Sequence, residues 1–120
     1  MSSLYSLADH PNLQGPLRVL FDELKKRIMD LDHTVSMKVF KGYIAFSYNN
    51  HFVDVLTRKR SLRVLLSIPI NILDDPEHLC NDLQGAWDTF EAEFVLASPD
   101  QLDYCMHLIE QAYVRDRQRR

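Results

Sequence analysis

Asp54, Glu91 and Glu93 lie in alternating stretches that would let all three carboxylates share one face of a β-sheet. Grouped oxygen ligands suit a hard divalent cation, and an acid followed by an acid-x-Lys pair on a neighbouring strand is how metal-dependent nucleases orient water. Here the pattern is incomplete. The stretch beside Asp54 supplies Arg63 and Leu65, not an acid and a lysine, and Glu91-Ala92-Glu93 ends in an acid where lysine is required. Pairing of these carboxylates with Lys38 and Arg63 is the plainer expectation. His78 with Cys80, and Cys105 with His107, resemble two halves of a zinc site. Both pairs fall in expected helices at a spacing of two, which turns the partners about 200° apart. Neither a metal nor a cofactor is therefore expected. The chain has no nucleophile elbow, glycine-rich phosphate loop or metalloprotease helix motif, and no catalytic residue is assigned.

Two surfaces remain as binding candidates. Arg58, Lys59, Arg60 and Arg63 surround one expected hairpin tip in "TRKRSLR", where cations can hold phosphates with a salt-sensitive affinity. Nucleic acid is the alternative partner on that basis, against a net charge of −3 for the whole chain. Phe40, Tyr43, Phe52, Asp54, Leu56 and Leu65 form the second surface, an aromatic and apolar patch on one sheet face. Such a patch fits a protein partner or self-association. The bland alternative is that residues 1–14 or 69–86 simply cover it.

These side chains are positioned by a periodicity that changes along the chain. From Pro16, the residues Leu17, Leu20, Phe21, Leu24, Ile28 and Leu31 recur at helical spacing. The period then becomes two, with Lys41-Gly42, Asn49-Asn50 and Lys59-Arg60 as expected two-residue hairpin tips. Counting back from those tips pairs Val39 with Ile44, Phe46 with Val53, and Val55 with Val64. One face then collects Val35, Met37, Val39, Ile44, Phe46, Tyr48, Val53, Val55, Val64, Leu66 and Ile68. The other collects Ser36, Lys38, Phe40, Tyr43, Ala45, Ser47, Phe52, Asp54, Leu56, Arg63, Leu65 and Ser67. Asp75 and Pro76 would open a short helix that stops before Gly85. A fifth strand follows, with Phe90, Ala92, Phe94 and Leu96 on one side. Ser98-Pro99-Asp100-Gln101 caps a last helix whose apolar stripe runs from Leu102 to Tyr113.

The expected fold is α+β: an antiparallel sheet of about five strands, in the order helix, four-strand meander, short helix, strand, helix, with the two long helices on one face. With 120 residues, 46% apolar and 26% charged, the chain reads as a single domain over 1–120, irregular over 1–14 and frayed in its basic tail, 115–120. No apolar run approaches the ~20 residues of a membrane span, so no membrane partner is expected. No secretory signal is seen at the N-terminus, and Cys80 and Cys105 read as reduced thiols of a cytoplasmic protein.

The segments "KGYIAF", "FVDVLTRKRSLRVLLSI", "LDDPEHLCNDLQG" and "SPDQLDYCMHLIEQAY", in that order, resemble an uncharacterised bacterial and archaeal domain family. The resemblance covers about residues 5–114. It implies a domain found alone or as the C-terminal module of longer chains labelled predicted transport proteins, some with nuclease-like partners. Where that family often has a "GHWG" type turn, this chain has "GAWDTF". The resemblance implies a fold and no catalytic residues. The functional expectation is an accessory or protein-interaction module without catalysis, then a nucleic-acid-associated module using the basic tip, and third a metal-dependent nuclease-like domain.

Overall fold

A proline in the first helical turn costs no hydrogen bond, and Pro16 occupies that place in α1 (Gly15–Met29). The computed structural model describes residues 4–87 and 90–119. After α1 come β1 (Ser36–Val39), β2 (Ile44–Ser47), β3 (His51–Thr57) and β4 (Leu62–Leu66). They are followed by β5 (Asn81–Trp87), β6 (Phe90–Leu96) and α2 (Leu102–Gln118). The strands form one six-stranded sheet in the order β1-β2-β3-β4-β6-β5, and every neighbouring pair is antiparallel.

The three cross-strand pairs expected from the sequence are present: Val39 with Ile44, Phe46 with Val53, and Val55 with Val64. Register matters because a slip of one residue would turn a whole strand over. The helical stripes of α1 and α2 form one buried cluster with Ile44, Phe46, Val53, Val55, Val64, Leu66, Ala92, Phe94 and Leu96. Both long helices therefore serve the same core, which leaves the opposite sheet face to other elements.

Four differences from expectation decide what that opposite face looks like. The sheet has six strands where about five were expected, because the short helix after Asp75 does not form. The Asp75 carboxylate accepts the backbone N–H groups of Leu79 (3.1 Å) and Cys80 (2.9 Å) and the Tyr104 hydroxyl. The chain wraps around that carboxylate, with His78 at a φ of 53°, and enters β5 at Asn81. Phe52 lies in the helix-covered core at 5.7 Å from the Tyr113 ring, not on the opposite face. The cause is a bulge: β2 and β3 slip register between Phe46 and Ser47, where Ser47 faces His51, and an inserted residue re-aims its side chain. The hairpin tip is a three-residue loop, 48–50, and neither asparagine has a positive φ. Finally, α2 continues through Gln118, so the tail described as fraying is helical well past Arg115.

The β5–β6 pair is also irregular. Asp82 faces Ala92 but Trp87 faces Phe90, so residues 83–86 bulge out of the ladder, with Gln84 and Gly85 both at positive φ. Gly85, expected as a helix stop, serves this bulge. It brings Leu83 over Leu56 and Leu65, and Phe90 joins them although its alternation suggested the helix side. Segment 69–86 thus covers part of the second face and leaves the rest as a cleft.

Candidate functional site

One row of residues crosses the second face by register: Ala45, Asp54, Leu65, Glu93 and Asn81, each opposite the next. Two of these are carboxylates with opposite fates. Glu93 pairs with the Arg63 guanidinium and accepts the Asn81 amide at 3.3 Å. Asp54 has no such partner. It is 8% exposed, and its Oδ1 is buried without a hydrogen-bond donor. His51 Nδ1 approaches it to 4.0 Å. Burial pushes the Asp54 carboxyl up to about 7 from an ordinary 3.8. Tyr43 is pushed up as well, first by burial and then by the Asp54 charge.

Asp54 lies in a cleft of about 510 Å³. Its apolar lining is Leu56, Leu65, Ala86 and Phe90, and its polar lining is Tyr43, Asn50, His51, Asp54, Ser67 and Arg119. That composition, an apolar patch ringed by convergent polar groups with one strongly perturbed acid, is the physical profile of a ligand site. Three elements hold the rim. The first is the stacked pair Phe40 and Tyr43, with centroids 4.7 Å apart and the Lys38 ammonium over Phe40. The second is the β5 bulge. The third is a lock between the β2–β3 tip and α2.

That lock is built on Asp116, which is 3% exposed although it belongs to a strongly charged tail. Its carboxylate accepts the N–H of Asn49 at 2.8 Å and that of Asn50 at 3.0 Å, together with the Asn50 side-chain amide at 2.9 Å. The Asn49 amide in turn donates to the carbonyls of Asp116 and Arg119, at 2.9 and 2.6 Å. The pair of asparagines therefore works by donating to α2. The result places Asn50 and Arg119 side by side in the cleft lining.

Of the expected sheet-face residues, Tyr43, Asp54, Leu56 and Leu65 line the cleft, Phe40 backs Tyr43, and Phe52 is removed to the core. The basic group divides. Arg58, Lys59 and Arg60 are exposed at the β3–β4 tip, whereas Arg63 is half-buried against Glu93 on the sheet face. The sequence reading places Ser67 on this face without singling it out, puts Phe90 on the helix side, leaves Arg119 in the basic tail, and misses His51. The register alone puts Ser67 beside Phe52, since its N–H donates to the Phe52 carbonyl at 3.1 Å, but nothing in the tail announces Arg119.

Elsewhere the chemistry is quiet. Among the described residues no three His, Cys, Asp or Glu side chains gather closely enough to hold a metal ion. Burial raises the Cys80 thiol to about 12 and drives Cys105 upward too, so both favour the protonated form. No helix among the described residues is long and apolar enough to cross a membrane.

Comparison with known proteins adds a family and little function. The family model for the domain of unknown function DUF5655 matches residues 7–114. An uncharacterized protein of Haemophilus influenzae is 30% identical over 112 residues, which covers 91% of this chain and 37% of that protein. The chain thus spans well under half the length of the curated relative it matches. No solved structure matches it.

Proposed function

We propose, for a chain that belongs to the DUF5655 family of domains of unknown function, that it is a binding module without catalysis and that its working surface is the Asp54 cleft. The observation that carries this reading is the Asp54 oxygen, buried in an apolar cleft with no donor. An unsatisfied buried acceptor costs about 1–3 kcal/mol, and a ligand that brings a donor recovers it. Glu93 is engaged by Arg63, and Leu65 stands between it and Asp54, an arrangement that supports binding over paired acid–base chemistry. The longer Haemophilus relative is consistent with a module that serves as an accessory part of larger chains.

The test is a titration of labelled protein with a library of small polar and apolar fragments, followed by amide correlation spectra. Saturable shifts centred on Tyr43, His51, Asp54 and Leu65 are expected. They should vanish in Ala86→Trp, which fills the cleft from an exposed position on the β5 bulge. Absence of cleft shifts in the unaltered protein, or their persistence in Ala86→Trp, overturns the reading.

A further inference from the structure

The cleft contains one acid and one guanidinium that do not pair with each other. Asp54 has no ion pair shorter than its 4.0 Å approach to His51, and among the described residues Arg119 has no carboxylate partner. Arg119 is partly buried, and its backbone is fixed by the Asn49 bond to its carbonyl. Leu56, Leu65 and Phe90 line the same cleft. Each simple class of ligand meets a conflict here. An anion reaching Arg119 leaves the Asp54 oxygen without a donor. A cation reaching Asp54 leaves the guanidinium unmatched. A neutral apolar molecule satisfies neither.

Resting on the cleft as the binding site, we infer that its ligand is a small zwitterion with an apolar body, of the free α-amino acid type. Its ammonium group would donate to Asp54, its carboxylate would receive Arg119, and its side chain would lie on Leu56, Leu65 and Phe90. A cleft of about 510 Å³ holds such a molecule with room for a large side chain. Partial exclusion of water strengthens both charge contacts. Tyr43 and His51 supply further polar atoms at the wall, where they distinguish among zwitterions without deciding the class.

Calorimetric and resonance titrations with L-phenylalanine and L-leucine test the inference, with N-acetyl-L-phenylalanine lacking the cation and L-phenylalanine amide lacking the anion. The zwitterions are expected to bind in the cleft and each single-charge derivative to bind roughly 30-fold more weakly, the loss expected when one partner of a buried charge pair is removed. Asp54→Asn should abolish discrimination against the acetylated probe alone, and Arg119→Gln discrimination against the amide alone. Equal binding of all four probes, or discrimination that survives both substitutions, overturns the zwitterion. If other fragments occupy the cleft and these amino acids do not, the cleft reading stands and this inference falls. If nothing shifts the cleft resonances, both fall.

Discussion

Asp116 grips Asn50 twice: its carboxylate accepts the backbone N–H at 3.0 Å and the side-chain amide at 2.9 Å, across 66 positions of sequence. Two backbone donors of a hairpin tip are thus satisfied by one buried charge on a helix. Hydrogen bonds to charged groups contribute about 1.5–3 kcal/mol each, and these bonds are partly shielded from water. Asp116→Ala is therefore expected to lower stability by about 3 kcal/mol, read as a fall in the urea midpoint at unchanged slope. The same substitution should broaden the Asn50 and Arg119 resonances. An effect under about 0.5 kcal/mol, the usual range for exposed charges, would mean that the tip does not depend on this lock.

Phe52 provides a direct check on the β3 bulge. Facing Tyr113 in the core with no exposed surface, it should behave as a core aromatic, so Phe52→Ala is expected to cost about 3–5 kcal/mol. Phe40 is only partly buried and stacks on Tyr43, so Phe40→Ala should cost about 1 kcal/mol. Similar modest costs at both positions in denaturant titrations would place Phe52 back on the open face.

The contrast between these two phenylalanines shows what sequence can and cannot convey. Alternation and turn composition set the pairing of Val39, Phe46 and Val55 with their partners, because period-two burial leaves few registers open. The same counting misplaced Phe52, since a bulge adds one residue without any glycine or proline to mark it. Asp75 read as a helix cap because capping and loop-closing carboxylates accept from neighbouring N–H groups in similar ways; Tyr104, 29 positions away, helps decide between them. Tyr43, Asp54, Leu56 and Leu65 were legible as one surface. Arg119 was not, since the tail joins the cleft through tertiary contacts of Asp116 and Arg119 with Asn49 and Asn50, and His51 was not, since the bulge sets its place.

The basic tip leads to a different expectation. With Arg63 held by Glu93, only Arg58, Lys59 and Arg60 project together, and three phosphate contacts give a salt slope of about −2.7 on duplex DNA. So few contacts do not give micromolar affinity at physiological salt. Anisotropy with labelled single- and double-stranded oligonucleotides should show no saturable binding under those conditions. The triple variant Arg58→Gln, Lys59→Gln, Arg60→Gln should leave the cleft titrations unchanged. Salt-sensitive binding that the triple variant removes would make the tip the working surface instead.

The last prediction concerns Asp54 and pH. Its carboxyl is held near 7 in the folded chain and near 3.8 when exposed, so between those values the folded state binds the extra proton. Stability from this group is therefore highest at acid pH, falls as pH rises from about 4 to about 7, and stays low above it. The full difference corresponds to about 4 kcal/mol, and water at the cleft mouth reduces that to about 2 kcal/mol. The titratable and charged groups that face Asp54 are Tyr43 on the loop before β2, His51 on β3, the Arg63–Glu93 pair beyond Leu65, and Arg119 at the end of α2. Asp54→Asn carries no titrating proton, so it should be more stable than the parent at pH 8 by about 2 kcal/mol, with the advantage gone near pH 4. Urea titrations at both pH values measure this, and repeating them in a His51→Gln background separates the imidazole from the carboxyl. A purely structural aspartate would behave in the opposite way, losing stability on substitution at neutral pH. A variant that folds better and binds its ligand less well identifies Asp54 as a group held in the cleft for its charge.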